Sequence, residues 1–164
     1  MKKVISLSLF AVLGLVTSVL VSCAPKLAEF DYEMHCLGVG AQGTNLVKVY
    51  SYGKNQMDAI ENAKLNAIHG ILFKGIAGGS GCYQQPPMVK VSEKAAHQEF
   101  FDKFFRSKRY LQFVNLSSDG SVNGEDRYRV GNRYKIGVAV SIEKDALRKY
   151  LEDQGIIKSL GSFF

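Results

Sequence analysis

Residues 44–73, TNLVKVYSYGKNQMDAIENAKLNAIHGILF, join a strand pattern to a helix pattern, and this succession decides the fold. The first part alternates in polarity, which is typical of a strand whose two faces meet different surroundings. Asn55, with Asp58 three residues later, can cap a helix that ends before Gly75. Small and branched apolar side chains then recur every three or four positions, so we predict a helix over 55–73 that lies close against a sheet.

The rest of the chain supplies further strand and helix patterns. Strands are expected over 33–40, 44–52, 110–116 and 127–142, the last as one long strand or as the arm of a hairpin. Helices are expected over 93–107, capped by Ser92 and rich in Phe, and over 143–154. Strands and helices in separate runs predict an α+β fold, with an antiparallel sheet of about four strands and two to three helices packed on one face.

The N-terminus has the features of a lipoprotein signal peptide. Two lysines precede an uncharged apolar segment, which ends in Leu20-Val21-Ser22-Cys23. We expect residues 1–22 to be the signal peptide, Cys23 to be lipidated, residues 23–32 to be a tether and residues 33–164 to form a single domain. The alternative is an uncleaved transmembrane helix, which the length permits but which the lack of a following positive cluster disfavours.

The net charge and the cysteine count indicate which partners and which disulfide are possible. The chain carries a formal charge of +6, of which Lys2 and Lys3 supply +2, so the predicted mature part is only mildly basic. This balance suits anionic lipid or polysaccharide and does not call for a nucleic-acid partner. With Cys23 used by lipid, Cys36 and Cys82 remain, either as a disulfide or as two separate buried thiols.

The motifs that resemble catalytic or cofactor sites have simpler explanations. Residues 38–43, GVGAQG, match a dinucleotide fingerprint, but a strand follows where a helix would be needed, so we interpret them as a turn. Three histidines lie at spacings unsuited to a metal and are expected to be structural or solvated: His35, His69 and His97. Glu125 and Asp126 look like solvated carboxylates in a turn. We therefore expect no catalytic residue, no metal and no cofactor, and a protein that is not an enzyme.

A basic and aromatic run near the C-terminus is the best candidate binding surface. On a continuous strand, four cations share one face, opposite Tyr128 and Tyr134: Arg127, Arg129, Arg133 and Lys135. In a cell envelope this face could bind peptidoglycan, lipopolysaccharide or a protein partner. It could equally be the solvated face of a sheet.

Two phrases carry a resemblance to a known family. They are AIENAKLNAI at residues 59–68 and VAVSIEKDALRKYLEDQG at residues 138–155, together with the glycine-containing first strand. The chain resembles the twenty-kilodalton lipoprotein family of bacterial envelopes, and more weakly is similar to accessory lipoproteins of type VI secretion systems. It departs from the family pattern around Cys82 and in the Phe-rich helix. The resemblance implies a small α+β domain on an outer-membrane anchor that serves a larger envelope machine.

From these features we expect an envelope lipoprotein that acts as a structural or docking subunit of a trans-envelope assembly for secretion or motility. The alternative function is a non-catalytic binding module for peptidoglycan or lipopolysaccharide. Ala24 lacks the aspartate typical of inner-membrane retention, and no acidic tract follows Cys23. We therefore expect the outer membrane, at its periplasmic face, with envelope proteins as partners.

Overall fold

The computed structural model of the chain describes residues 30–79, 82–117 and 121–159. The predicted signal peptide, Cys23 and most of the predicted tether lie outside these residues. The strands are β1 (Tyr32–Val39), β2 (Thr44–Gly53), β3 (Val114–Leu116), β4 (Arg127–Val130) and β5 (Arg133–Glu143). The helices are α1 (Gln56–Phe73), α2 (Val91–Ala96), α3 (Gln98–Arg106) and α4 (Lys144–Asp153).

The strands form one antiparallel sheet in the order β1-β2-β5-β3, with β4 also paired to β5. β3 pairs with residues 140–142 of β5 and β4 pairs with residues 133–136. Because β2 occupies the other side of β5, β3 and β4 lie end to end along one edge. The sheet is therefore four strands across, with helices on one face, and the predicted α+β class is confirmed.

Helix α1 forms the core with the sheet. The residues of its predicted apolar stripe are all buried, namely Ala59, Ile60, Ala63, Ala67, Ile68, Ile71 and Leu72. They pack on the inward-facing residues of β2 and β5, which include Val47, Val49, Val138 and Val140. The strand and the helix are so close at Gly53 that a Cβ atom there would collide with the backbone of Ala59. Only glycine fits there, so the end of β2 and the first turn of α1 are locked together.

Both ends of α1 follow the sequence signals. The Asn55 side chain accepts a hydrogen bond from the backbone N–H of Asp58, with an N···O distance of 2.9 Å. This bond satisfies one of the free amides of the first turn. At the other end Gly75 adopts φ +78° and its N–H donates to the carbonyl of Gly70, which closes the helix.

As expected, a turn joins β1 to β2 within the GVGAQG segment. It is shorter than the predicted 38–43, because Gly38 and Val39 still pair with β2 as the end of β1. A short 3₁₀ helix covers Ala41–Gly43, and the N–H of Gly40 donates to the carbonyl of Thr44 at 2.8 Å. A strand follows at Thr44, so the glycines do not lie at a helix N-terminus. The segment therefore lacks the strand–helix geometry by which a dinucleotide fingerprint binds pyrophosphate.

The helix predicted over 93–107 and the strand predicted over 110–116 differ in the structure. The helix predicted over 93–107 is two helices that meet at His97. The first begins before the predicted cap, Ser92, because the N–H of Lys90 donates to the Glu93 carboxylate at 2.8 Å. The strand predicted over 110–116 is mostly a 3₁₀ helix, Arg109–Phe113, which buries Tyr110 and Phe113 three residues apart on one side.

The last predicted strand is a hairpin. β4 and β5 are joined at Gly131, whose φ of +59° suits the tight turn between them. Strand β5 then continues to Glu143 and pairs with β2 along its length. Within the described ranges, none of the helices combines the length and the apolar character that crossing a bilayer needs.

A disulfide joins Cys36 of β1 to Cys82 of the 75–90 loop, with the two Cα atoms 6.2 Å apart. Of the two alternatives that the cysteine count left open, the structure thus has the bonded pair. The bond ties a glycine-rich loop to the edge of the sheet. The loop is also held by Met88 and Val89, whose N–H groups donate to carbonyls at the end of α1. A disulfide is compatible with an oxidising compartment.

We expect removal of this disulfide to destabilise the domain. The two cysteines are 46 residues apart in sequence. On the chain-entropy model, closing a loop of this length stabilises the folded state by about 4 kcal/mol. The double variant Cys36→Ala, Cys82→Ala should lose about 2–4 kcal/mol in free energy of unfolding, measured with urea. Reductant should shift the midpoint of the wild-type protein and leave the variant unchanged. Equal stability of the two proteins without reductant would contradict the expectation.

Candidate functional site: the open sheet face and the aromatic groove

The face of the sheet opposite α1 carries a row of aromatic and charged side chains. The strand register places Glu33 and His35 of β1 beside Lys48 and Tyr50 of β2. It places Tyr52 of β2 beside Lys135 of β5, which in turn faces Tyr128 of β4. We call this surface the open face, and its residues are Glu33, His35, Lys48, Tyr50, Tyr52, Tyr128, Val130, Arg133 and Lys135. Among the described residues, no helix packs across it.

Asp126 lies at one side of the open face and is buried, which corrects the prediction of a solvated turn. The short 3₁₀ helix Gly124–Asp126 turns its carboxylate towards β2, and the residue is 5% exposed. The Tyr50 hydroxyl donates to Oδ1 at 2.7 Å, and Lys48 Nζ lies 2.7 Å from Oδ2. Glu125, its neighbour, is exposed as predicted.

The pKa of Asp126 reflects two opposing effects. Burial by itself would raise the pKa, but the hydrogen bonds from Lys48 and Tyr50 outweigh it and hold the pKa below its ordinary value. The same hydrogen bond to Asp126 raises the pKa of Lys48. The cluster is therefore an ion pair at neutral pH, and it fixes the orientation of the Tyr50 ring.

Other cations of the open face also have partners. Lys135 Nζ is 2.6 Å from Glu33 Oε1, and this hydrogen bond lowers the pKa of Glu33. Arg133 reaches Asp31 at 4.0 Å and lies over the Tyr52 ring, 4.7 Å from its centre. The positive charge of this face is thus largely balanced by carboxylates within the same chain.

The four cations predicted to share one face are divided between two. Arg127 pairs with Ile136 and Arg129 with Tyr134, so both belong to the side of the sheet that carries the helices. Arg133 and Lys135 belong to the open face, with Tyr128 on the same side. The prediction is wrong because it assumed one continuous strand, and the turn at Gly131 changes the face on which later residues lie. No contiguous anion site is assembled from these four residues.

A second feature is a groove on the helix side, which we call the aromatic groove. It lies between α1 and the α2–α3 pair, with a volume of about 720 Å³. Its interior is formed mainly by Phe30, Leu65, His69, Phe73, Phe101 and Phe105. Phe101 is buried in the core, whereas Phe73 and Phe105 are half-buried and present ring surface to the groove. The Phe-rich helix therefore serves both the core and this cleft.

His69 lies in the aromatic groove, and its setting keeps it neutral. The Phe30 ring stacks on it at 3.6 Å, and the Tyr32 hydroxyl lies 2.9 Å from Nδ1. Burial, together with the charges of Lys94 and Lys74, lowers the pKa of His69 to about 4. His69 is buried, so of the two alternatives that the sequence left open, structural or solvated, the solvated one does not hold for this residue. The described ranges contain no cluster of three or more His, Cys, Asp or Glu side chains suited to a metal.

The rim of the groove carries charge of both signs. The cations are Lys94, Arg106 and Arg133, and the acids are Asp31 and Asp102. Lys94 extends over the Phe73 ring, with Nζ 4.3 Å from the ring centre. The sequence alone did not reveal this site, since its members come from residues 30–31 and from β2, α1, α2, α3 and β5. The unusual density of Phe in residues 100–105 was the one signal that pointed to it.

The chain matches no protein-family model, no curated protein and no solved structure. The resemblance to the twenty-kilodalton lipoproteins therefore stays a prediction.

We expect Asp126→Asn to destabilise the protein by about 2 kcal/mol at neutral pH, because it removes charged hydrogen bonds from Lys48 and Tyr50. The wild-type carboxylate has a depressed pKa, so its contribution is present above the ordinary value of 3.8 and is lost as pH falls through the folded-state value. The difference between the two proteins should therefore shrink in acid. Urea unfolding at several pH values measures it.

Glu125→Gln is the matched control, since Glu125 is the exposed neighbour in the same turn. It should leave stability within about 0.5 kcal/mol of wild type. Equal effects of the two substitutions would contradict the assignment of Asp126 as a buried partner.

Proposed function

We propose that the protein is a lipid-anchored subunit of the cell envelope that docks a protein partner through its open face. The observation that carries the proposal is the composition of that face, where tyrosines are held between cations and carboxylates that already pair with each other. Tyrosine and arginine are enriched in the centres of protein interfaces. Tyr128 and Val130, at 48% and 47% exposure, add apolar surface at the edge of the face.

The charge balance favours a protein over a polyanion. Lipopolysaccharide is dense in negative charge and requires cations that are free to pair with it. On the open face Lys48 and Lys135 lie within 2.7 Å of carboxylates. Such pairs are costly to break but can orient a partner that carries both signs of charge. The alternative of a lipopolysaccharide-binding module therefore has less support.

The anchor is the second part of the proposal. Lipidation at Cys23 would place the domain at the membrane, on the periplasmic face of the outer membrane. Support comes from the signal-peptide pattern and from the Cys36–Cys82 disulfide, which suits an oxidising compartment. The docked assembly would be of the trans-envelope kind, for secretion or motility. The chain's own part in it is structural, without catalysis.

Cysteine labelling in the native envelope tests the docking surface. Tyr128→Cys places a thiol on the open face, and Tyr83→Cys places one on the 75–90 loop, where the side chain is 91% exposed. In purified protein a small maleimide should label both thiols. In intact envelopes Tyr128→Cys should be protected by the partner, whereas Tyr83→Cys should react as in the purified protein.

Labelling of Tyr128→Cys at the same rate in envelopes and in purified protein would show that the open face is unoccupied. Unfolding curves of both variants serve as the control that neither substitution disturbs the fold.

A further inference from the structure

The aromatic groove has the shape and lining of a site for an extended apolar molecule. Its volume of about 720 Å³ lies within the range of ligand sites in proteins. Phenylalanine rings and a leucine line the interior, and His69 contributes a neutral, stacked ring. Val91 at the groove is 87% exposed, so apolar surface continues to its mouth. A ligand for this groove must be largely apolar.

The charges at the rim favour a negative group at one end of that ligand. Of the three cations, Arg133 is engaged by Asp31 at 4.0 Å. The other two cations of the lining, Lys94 and Arg106, outnumber its one remaining acid, Asp102, so the groove carries an excess of positive charge. The Lys94 side chain lies along the Phe73 ring, so its ammonium group stands at the boundary between apolar interior and solvent. An anionic amphiphile would match both regions.

The position of the groove along the chain places it near a source of such molecules. Phe30 is the first described residue and is part of the groove lining. Cys23 precedes it by seven residues, a segment that reaches at most about 25 Å when extended. If Cys23 carries the anchor, the groove lies within that distance of the point where the chain meets the bilayer. This step rests on the anchor of the proposed function.

We propose that the aromatic groove binds one acyl chain of an anionic phospholipid from the surrounding membrane, with the phosphate beside Lys94 and Arg106. Binding is non-covalent, and it would orient the domain so that its helix side faces the bilayer and its open face points away. The groove lies on the helix side and meets the open face only at Tyr52 and Arg133, so the rest of the open face stays accessible to a partner when the groove is occupied.

Photo-crosslinking in vesicles tests this site. The mature lipidated protein, which begins at Cys23, is reconstituted into vesicles of phosphatidylethanolamine and phosphatidylglycerol. A small fraction of the phosphatidylglycerol carries a diazirine in one acyl chain. After irradiation, crosslinks should map to peptides containing Phe73, Phe101 and Phe105. Ala95→Trp fills the groove from an exposed position and should reduce these crosslinks about tenfold. Ala96→Trp, also exposed on α2 but outside the lining, should retain them.

A second pair of variants tests whether the positive charge of Arg106 is needed to bind the anionic headgroup. Arg106→Glu should reduce crosslinking to the phosphatidylglycerol probe, whereas Lys103→Glu, on the same helix and outside the groove, should not. A phosphatidylethanolamine probe with the same diazirine should show little difference between these two variants. Equal loss for both probes would overturn the assignment of the headgroup.

Three outcomes overturn the lipid site and leave the anchor unaffected. One is crosslinks that avoid the groove peptides, which is the result if the chain's own Cys23 lipid or a protein segment fills it. Another is crosslinks that persist in Ala95→Trp. The last is a protein that floats with the vesicles yet gives no groove crosslinks, which would refute the lipid site and leave the anchor standing. If the protein does not float with the vesicles, the anchor is refuted. The proposed phospholipid site is then refuted as well, because it depends on the anchor.

Discussion

The close packing of α1 on β2 and β5 is the contact on which the rest of the structure depends. Gly53 and Ala59 allow the helix to approach the sheet at its first turn, and small residues along the stripe keep it close thereafter. This contact buries one face of the sheet and supplies most of the core. Because the helices gather on that side, the opposite face is left for polar and aromatic residues, and the groove forms where α2 and α3 diverge from α1.

The two sides of the molecule consequently differ in chemistry. The open face holds ion pairs such as Lys135–Glu33 and the Lys48–Asp126–Tyr50 cluster, which keep their side chains in fixed positions. The groove on the other side is apolar and contains a histidine that burial keeps neutral. A domain with a rigid polar face and an apolar cleft on opposite sides is suited to lie between a membrane and a protein partner, which is the arrangement we propose.

Local patterns predicted the elements whose formation depends on neighbouring residues. The spacing of apolar residues and the capping residues of 55–73 correctly predicted α1 and its buried face. The strand pattern after GVGAQG correctly indicated a turn there, and not a nucleotide site. The wrong predictions concern segments whose conformation or burial depends on residues distant in sequence. Tyr110 and Phe113 turn towards the helices as a 3₁₀ segment because both are buried, although their sequence suits a strand. Asp126 looks solvated until Lys48 and Tyr50, more than 70 residues away, are placed beside it. The groove is formed by five elements and has no local signature.

Both proposed surfaces depend on where the chain is held, so the most direct measurement concerns Cys23. Cells expressing the full-length protein or Cys23→Ala are fed an alkynyl fatty acid, and the protein is tested for label and for its presence in the membrane fraction. We expect label and membrane association for the parent and for the control Ser18→Ala, whose change lies within the signal peptide. Cys23→Ala should lose the label and be released from the membrane or mislocalised. A parent protein without label, or a Cys23→Ala variant that remains labelled and membrane-bound like the parent, would contradict it.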